Sequence, residues 1–194
     1  MDADGDSCCM DMIYDLANAE GEIFSDAWSI KTIETTMLQS YVYSVVAYKV
    51  EDSIILTDYI GGIAISEKAY SCESGKWTES DKKLKTEQKE LAGYLFSNII
   101  SDETELLRIA TTEKLRGTKV ADLMMEKYLT YVQDSSDYCF LEVRAGNEIA
   151  KNLYQKWGFD YVGTRKDYYA SPVEDALLFK KLFRTSKTSE EKNA

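Results

Sequence analysis

The chain has 194 residues, of which 44% are hydrophobic and 29% are charged, a length and composition typical of one globular domain. Asp and Glu outnumber Lys and Arg by 34 to 23, and the formal net charge of -11 argues against nonspecific nucleic-acid binding, which needs a cationic surface. The chain contains no histidine, which excludes an internal Ser-His-Asp or Cys-His catalytic arrangement and any His-ligated zinc site.

The N-terminal part predicts two helices and a strand. Residues 1–10 are small and acidic and predict weak structure, whereas residues 11–23 carry an apolar stripe with helical spacing. Ser29 is the predicted N-cap of a second helix that runs to about Gln39. Residues 41–49, rich in Tyr and Val, predict a strand. Because residues 1–30 hold eight carboxylates and no Lys or Arg, this region suits either a solvated surface or contact with a basic partner.

A hairpin and a polar stretch follow. Gly61-Gly62 separates two runs, 54–60 and 63–70, and predicts the two-residue turn of a β-hairpin. Residues 71–90 are polar and predict a solvated loop or an irregular helix. This stretch is interpreted either as a tolerated surface insertion or as a docking arm for a partner.

In the second half of the chain, strands alternate with helices. The predicted strands are 91–100, 105–111, 138–143, 159–164 and 176–183, and the first predicted helix is 120–133. A second helix is predicted between Asn147, its cap, and Gly158, its end. The polar tail 184–194 predicts disorder. This alternation is typical of a mixed α/β layered fold.

The four cysteines are Cys8, Cys9, Cys72 and Cys139, and none has a CxxC partner. They are predicted to be reduced and structural, while the adjacent Cys8-Cys9 leaves a metal or redox pair open. The start of the chain lacks the basic residues and apolar run of a signal peptide, and no stretch approaches the roughly 20 apolar residues of a membrane helix. These patterns predict a cytoplasmic protein.

The first segment that could carry chemistry lies where a predicted strand, ending at Ile109, Ala110 and Thr111, leads into a predicted helix. Its loop and helix start contain Arg116, Gly117, Thr118, Lys119, Val120 and Ala121. The first turn of a helix offers N–H groups without intrahelical partners at the positive end of the helix dipole, an arrangement that binds phosphate or pyrophosphate. Many strand–helix turns share this pattern, so an ordinary turn stays open as an interpretation.

Two further side chains could transfer protons. Glu142 lies between apolar residues on a predicted central strand, where a carboxylate is either ion-paired or functional, since an unpaired buried charge is costly. Arg144 has the same side-chain parity, so a structural Glu142–Arg144 pair is one interpretation. Tyr154 is either a packed aromatic residue or a proton donor. In a chain without histidine, a Glu base with a Tyr acid is the natural pair to suspect.

In this order, the segments resemble the GCN5-related N-acetyltransferase (GNAT) superfamily. Its loop pattern, Gln/Arg-x-x-Gly-x-Gly/Ala, corresponds to residues 116–121. Further segments recur in the order of the bacterial RimI type, which acetylates the N-terminal alanine of small-subunit ribosomal protein 18. They are residues 24–29 (FSDAWS), 141–147 (LEVRAGN), 153–159 (LYQKWGF), 165–169 (RKDYY) and 174–176 (EDA). The resemblance covers about residues 11–183, interrupted near 51–90.

The resemblance implies a fold. It is the three-layer GNAT fold of the α/β (mixed α+β) class, with a mostly antiparallel central sheet flanked by helices. The sheet is splayed between the strands near 105–111 and 138–143. It also implies one N-acetyltransferase domain over residues 1–183, with an inserted hairpin or loop at about 51–90, followed by the disordered tail 184–194.

The resemblance also implies roles for individual residues. Glu142 corresponds to the general base and Tyr154 to the general acid. Acetyl-coenzyme A is the expected cosubstrate, and no metal is expected. The positions that correspond to cofactor contacts are Ile109, Ala110, Thr111, Arg116, Gly117, Thr118, Lys119, Val120, Ala121, Asp122 and Asn147. Phe24, Trp28 and Tyr169 lie on segments that flank the peptide groove in the family.

The implied partner is a basic protein or peptide N-terminus, such as that of a ribosomal protein, with no nucleic acid and no membrane. A monomer or weak dimer is expected. The net charge of -11 suits attraction of a cationic ribosomal tail. Two other hypotheses stay open: an acetyltransferase for another peptide N-terminus, a lysine or a small amine, and a noncatalytic acyl-coenzyme A-binding module.

The sequence departs from the family pattern at several positions. The central Gly of the loop is Lys119, and a basic residue common at its end is Asp122. The Pro that usually precedes the family's Trp is Ala27, and the family's first strand falls near residues 3–10, where the sequence is a poor strand. These departures predict weaker cofactor binding or an altered substrate, and the loop substitutions motivate the noncatalytic hypothesis.

Overall fold

The computed structural model describes residues 4–74, 76–81 and 88–183. Its helices are α1 (Asp4–Ile23), α2 (Ile30–Met37), α3 (Val120–Val132) and α4 (Glu148–Lys156), and a short 3-10 helix, Glu113–Leu115, precedes α3. Its strands are β1 (Val42–Val50), β2 (Ser53–Ile60), β3 (Ile63–Glu73), β4 (Lys76–Ser80), β5 (Glu90–Ile100), β6 (Glu103–Thr111), β7 (Tyr138–Arg144), β8 (Asp160–Ala170) and β9 (Val173–Leu182).

The described residues form two compact units. The first consists of the residues up to Asn98 together with Leu107–Glu126, and the second of Ile99–Leu106 together with the residues from Lys127 onward. A single acetyltransferase domain over residues 1–183 stays a prediction, and the tail 184–194 lies outside the described residues.

The N-terminal helix is longer than predicted. Because α1 begins at Asp4, the prediction of weak structure for residues 1–10 is wrong from that residue on, and residues 1–3 lie outside the described range. The same helix occupies the residues where the resemblance places a first strand.

Both predicted helix caps are confirmed. The Ser29 hydroxyl accepts a hydrogen bond from the Thr32 N–H at 3.1 Å, at the start of α2. The Asn147 side-chain oxygen accepts one from the Ala150 N–H at 3.1 Å, at the start of α4. Gly158 follows α4 with a φ of 77°, in the left-handed region. Each cap pairs an N–H group that the first turn of a helix would leave unsatisfied, so local sequence determines these boundaries.

In the first unit the strands follow the order β4-β3-β2-β1-β5, each antiparallel to its neighbour. The predicted hairpin turn is confirmed, because Ile60 pairs with Ile63 across two glycines whose φ angles are 55° and 77°. The loop or irregular helix predicted for 71–90 is wrong in part: β3 extends to Glu73, and β4 adds a further strand. Residues 75 and 82–87 lie outside the described range. Strand pairing, rather than hydrophobic periodicity, orders this polar sequence.

Strand β1 lies at the centre of the core of the first unit. Its two edges pair with β2 and β5, and every residue of the strand except Lys49 is buried. Val42 and Val46 belong to the same core cluster as Leu16 of α1 and Ile33 of α2. A Val-rich strand suits this place because β-branched side chains pack well on a pleated surface.

A buried carboxylate ties α1 to β5 and β6. Glu20 is 1% exposed and accepts hydrogen bonds from the Tyr94 hydroxyl at 2.7 Å and the Trp28 backbone N–H at 2.9 Å. Nε of Arg108 lies 3.8 Å from Oε1 of Glu20, and the same guanidinium donates to the Asp26 carbonyl at 2.8 Å. Burial and the Glu20 charge raise the pKa of Tyr94, so its phenol remains a donor. These contacts hold the segment between α1 and α2 in place.

In the second unit β7 is antiparallel to β9 along its whole length, and β9 is antiparallel to β8. Strand β7 is parallel to the first residues of β6, from Glu103 opposite Tyr138 to Leu106 opposite Leu141. The paired stretch ends there, although both strands continue, at the place where the splay was predicted. The predicted α/β fold class, with helices and a mostly antiparallel sheet, is confirmed.

Cys72 and Cys139 are free thiols, of which the first is exposed and the second is buried. Burial raises the pKa of Cys139 to about 12, which keeps its thiol protonated and unreactive at neutral pH. Across the part of the chain that the structure describes, no helix is long and apolar enough to cross a membrane.

Arg108→Met is expected to destabilise the protein by about 3 kcal/mol, because it leaves the Glu20 carboxylate buried without its cationic partner. Urea unfolding at neutral pH measures this change. Lys31→Met is the control: the Lys31 side chain, paired with Glu34 at 3.2 Å, is 77% exposed, and its loss should change stability by less than about 0.5 kcal/mol. Equal losses in the two variants would contradict the role given to the buried pair.

Candidate active site

The end of β6, the predicted cofactor strand, lies close against β5. A Cβ atom placed on Gly93 would lie 2.5 Å from the Ala110 carbonyl oxygen and 2.9 Å from Cε of Met124, too close for any side chain. Glycine at this position therefore permits the close approach of the backbone at Ala110 and Thr111. Of the three predicted strand-end residues, Ala110 is buried, while Ile109 and Thr111 are half-buried.

The predicted phosphate loop has an unusual backbone course. Gly117 and Lys119 both have left-handed φ angles, 78° and 67°, on either side of Thr118. The Thr118 hydroxyl donates to the Leu115 carbonyl at 2.6 Å, and α3 begins at Val120. Turns of this kind expose successive backbone N–H groups ahead of a helix, which is the arrangement that binds anions.

Lys119 stands in this loop at the position where the family pattern has glycine. Lys119 adopts the left-handed conformation that glycine adopts most easily, and its side chain is exposed, like that of Arg116. Asp122, half-buried in the first turn of α3, adds a carboxylate at the same end of the helix. In backbone course and in its two cations, the loop fits a pyrophosphate group.

Arg108 brings together the two predicted acceptor residues of the first unit. Its guanidinium carbon lies 4.3 Å from the ring centroid of Phe24 and 5.1 Å from that of Trp28, in cation–π geometry. Trp28 also contacts Phe96 of the core, with ring centroids 5.5 Å apart. Both acceptor residues are half-buried. The segment between α1 and α2 thus presents two aromatic rings, which are held in place by contacts with Arg108 and Phe96.

Glu142 sits in a polar cluster of the second unit. Its neighbours Leu141 and Val143 are buried, whereas its own side chain is 20% exposed on the other face of β7. Nη1 of Arg165 lies 3.0 Å from Oε1 of Glu142. A hydrogen bond to the same carboxylate raises the pKa of Tyr168, so this phenol keeps its proton. Glu142 is therefore a partly exposed acceptor with two donors around it.

Arg144 and Tyr169 belong to a neighbouring cluster. Nη1 of Arg144 lies 3.4 Å from Oε2 of Glu174, and its guanidinium carbon lies 4.1 Å from the Tyr169 ring centroid. Glu142 forms an ion pair with Arg165, and Arg144 forms one with Glu174, so each of the two residues that strand parity would pair has an ion-pair partner on another strand. Tyr169, the predicted acceptor residue of the second unit, is half-buried under the guanidinium.

Tyr154 lies in an apolar environment on α4. It is 6% exposed and packs against Phe159 and Phe179, with ring centroids 6.0 and 6.4 Å away. Within residues 4–74, 76–81 and 88–183, its hydroxyl has no hydrogen-bond partner. Burial raises the pKa of Tyr154 above its usual range, so the phenol retains its proton through neutral and mildly alkaline pH. Tyr154 is thus a packed aromatic residue whose hydroxyl keeps its proton and has no hydrogen-bond acceptor among the described residues.

Asn147 uses its side-chain oxygen to cap α4, which leaves its side-chain NH2 group for a ligand. Its predicted cofactor contact stays a prediction. Over the described residues, no group of three or more Cys, Asp or Glu side chains could hold a metal ion.

Sequence reasoning assigned no role to four residues that shape these clusters: Glu20, Arg108, Arg165 and Tyr168. Glu20 did carry a signal, because it follows Leu16 by four residues on the apolar stripe of α1, where a carboxylate requires a partner. Arg108 lies on a strand and its partners are distant in sequence, so no spacing marks it. Arg165 and Tyr168 belong to the segment 165–169 that carries the resemblance, but the sequence does not reveal their contacts with Glu142.

The model of the Acetyltransferase (GNAT) family matches residues 70–159. The ribosomal protein bS18-alanine N-acetyltransferase of Haemophilus influenzae is 31% identical over 87 residues, which are 44% of this chain and 59% of that protein. The chain thus spans less than two thirds of the length of this relative.

Solved structures show the same fold. The ribosomal-protein-S18-alanine N-acetyltransferase from Escherichia coli superposes with a TM-score of 0.60 at 17% identity, covering 91% of each chain. Arabidopsis thaliana NAA60 in complex with acetyl-CoA superposes with a TM-score of 0.59 at 16% identity, covering 88% of this chain and 93% of that one. At these identities the likeness concerns the fold alone. The part of the chain that matches the GNAT family model includes the phosphate loop, β7 and α4, and the fold of the chain is similar to that of these acetyltransferases.

Proposed function

We propose that the chain is an acetyl-CoA-dependent N-acetyltransferase that acts on a protein N-terminal α-amine, with the alanine of small-subunit ribosomal protein 18 as the preferred candidate. The observation that carries the proposal is the backbone of the loop before α3. Lys119 takes the left-handed conformation at the position where the family pattern has glycine, so a residue other than glycine supplies here the backbone conformation that glycine adopts most easily.

In this proposal most of the contacts to the cosubstrate come from residues of the first unit, and one comes from Asn147 of the second. Acetyl-CoA supplies the acetyl group as a thioester. The N–H groups at the start of α3 and the cations of Arg116 and Lys119 bind its pyrophosphate. The backbone at Ile109, Ala110 and Thr111 hydrogen-bonds its pantetheine arm. Val120, Ala121, Asp122 and Asn147 are the remaining proposed contacts.

The proton acceptor is Glu142. An N-terminal α-amine has a pKa near 8, so much of it is protonated at neutral pH and must lose a proton before it can act as a nucleophile. The Glu142 carboxylate is 20% exposed, which leaves it open to an amine or to a bridging water. Arg165 and Tyr168 both contact this carboxylate and orient it.

The proton donor is Tyr154. Because burial raises its pKa, the phenol is fully protonated at the pH of the reaction and can donate to a departing thiolate. The transfer of one acetyl group then requires no metal and no acyl-enzyme, since two bound reactants and two proton-transfer groups suffice.

The choice of acceptor is supported by the name of the Haemophilus influenzae relative and by charge. A protein with a net charge of -11 attracts a cationic ribosomal tail. Phe24 and Trp28, held by Arg108, and Tyr169, under Arg144, are the proposed contacts of the acceptor peptide. A cytoplasmic location and a monomer or weak dimer stay predictions.

Glu142→Gln and Tyr154→Phe are each expected to lower kcat by about 100-fold, because each removes one proton-transfer group. The affinity for acetyl-CoA, measured by calorimetry, should change by less than about twofold, since neither side chain is proposed to contribute to the binding of acetyl-CoA. Steady-state acetylation with a saturating peptide gives kcat.

Matched controls exist for both variants. Glu148→Gln removes a carboxylate that is 73% exposed, and Tyr161→Phe removes a hydroxyl from a phenol that also packs on Phe179 but is 55% exposed. Both controls should keep the wild-type kcat. An unchanged kcat in Glu142→Gln and Tyr154→Phe would refute the assigned roles.

A peptide panel tests the acceptor. A peptide that begins Ala-Arg is expected to be acetylated with a kcat/KM about tenfold or more above that of a lysine peptide blocked at its N-terminus. Preference for the blocked lysine peptide would replace the proposed acceptor with a side-chain amine. If wild-type protein shows no micromolar binding of acetyl-CoA in calorimetry, both enzyme hypotheses fail.

A further inference from the structure

The insertion at about residues 51–90 contributes to the sheet of the first unit, which its sequence does not reveal. Strand β2 pairs with β1 from Tyr43 opposite Ile60 to Val50 opposite Ser53, and so covers one edge of the most buried strand of the first unit. An uncovered edge would leave the backbone N–H and C=O groups of β1 without partners. The insertion forms strands β2, β3 and β4, called the inserted hairpin below, and these strands are therefore an integral part of the unit.

One side chain of the inserted hairpin reaches the phosphate loop. Trp77 lies on β4, opposite Cys72 of β3, and its indole Nε1–H donates to the Thr118 carbonyl at 2.7 Å. The indole N–H group is a donor only, so this half-buried contact is directional. Trp77 and Thr118 are 41 residues apart and both belong to the first unit.

The acceptor of this bond is the peptide group at the most strained point of the loop. The Thr118 carbonyl belongs to the peptide bond that leads into Lys119, the non-glycine residue with a φ of 67°. A left-handed residue other than glycine costs about 1 kcal/mol or more and persists only where surrounding contacts hold it. The Thr118 hydroxyl and N–H both bond to the Leu115 carbonyl, within the loop, whereas Trp77 supplies a contact from outside it.

We propose that Trp77 is a positioning residue for the phosphate loop: its hydrogen bond fixes the Thr118 carbonyl and thereby keeps Lys119 in the left-handed conformation. The inserted hairpin thus takes over, through one side chain, the conformational role that glycine has in the family pattern. The proposal rests on the proposed function insofar as the ligand of the loop is acetyl-CoA. Of the two interpretations of this stretch, it replaces the tolerated surface insertion, and it requires no docking partner.

A double-mutant cycle on acetyl-CoA affinity tests the link between Trp77 and Lys119. Trp77→Phe removes the donor and keeps an aromatic ring, and it should weaken acetyl-CoA binding about fivefold, the typical effect of one hydrogen bond. In the Lys119→Gly background the same change should cost less than about twofold, because glycine holds the left-handed conformation unaided. With saturating acetyl-CoA, kcat should be unchanged, so the effect falls on KM for acetyl-CoA alone. Thr78→Ala, at the next and exposed position of β4, is the control and should bind like the wild type.

Amide hydrogen exchange without any ligand separates this proposal from the proposed function. The Leu123 N–H donates to the Lys119 carbonyl at 3.1 Å in the first turn of α3, so its exchange reports the conformation of Lys119. Exchange at Leu123 should be faster in Trp77→Phe than in the wild type and Thr78→Ala. Unchanged exchange, or equal losses of affinity in both backgrounds of the cycle, would overturn the role of Trp77. Failure of the wild type to bind acetyl-CoA, with faster exchange in Trp77→Phe, would refute the proposed function but leave the positioning role of Trp77 intact.

Discussion

The first unit depends on how one buried carboxylate is satisfied. Glu20 is 1% exposed, and a carboxylate removed from water is stable only when hydrogen bonds and a counter-charge replace its hydration. Tyr94, Arg108 and the backbone N–H of Trp28 provide them from β5, from β6 and from the segment after α1. The carboxylate is fully matched only when all three elements are in place, so the core and the segment that carries Phe24 and Trp28 form together.

This constraint explains how the segment that we propose as an acceptor contact is held in place although it lies outside regular secondary structure. Asp26 receives a hydrogen bond from Arg108 on its carbonyl, and Arg108 also lies against Phe24 and Trp28. One guanidinium therefore neutralises the buried charge, fixes the backbone and supports two aromatic rings. Selection for a stable core and selection for an ordered acceptor surface would act on the same side chain.

The parts of the fold that the sequence predicted are those determined by neighbouring residues. Ser29 and Asn147 cap helices through hydrogen bonds to residues three positions away, and two glycines at 61 and 62 close a turn by themselves. The parts it mispredicted depend on partners far along the chain. Strand β4 is ordered by pairing with β3, and the Trp77 bond spans 41 residues, so neither leaves a local period.

In the candidate site, too, the sequence predicted features set by short segments and not those that depend on residues distant along the chain. The order of motifs marked the phosphate loop, Glu142 and Tyr154, because each motif is a short continuous segment. The groups that set their chemical behaviour come from elsewhere: Arg165 and Tyr168 of β8 contact Glu142, and Phe179 of β9 packs on Tyr154. Electrostatic environment is a property of the folded neighbourhood, and a motif specifies only the residue that experiences it.

That environment distinguishes the two tyrosines that could serve as the acid in a chain without histidine. The pKa of Tyr168 is raised chiefly by its hydrogen bond to Glu142, so its proton is already shared with an acceptor. The pKa of Tyr154 is raised chiefly by burial among apolar rings, and its hydroxyl has no acceptor within the described residues. Of these two phenols, that of Tyr154 has its proton free for a ligand, while that of Tyr168 contacts the carboxylate that we propose as the proton acceptor. A carboxylate and two tyrosines in different surroundings can thus divide base, orienting group and acid among themselves, roles for which many enzymes use histidine.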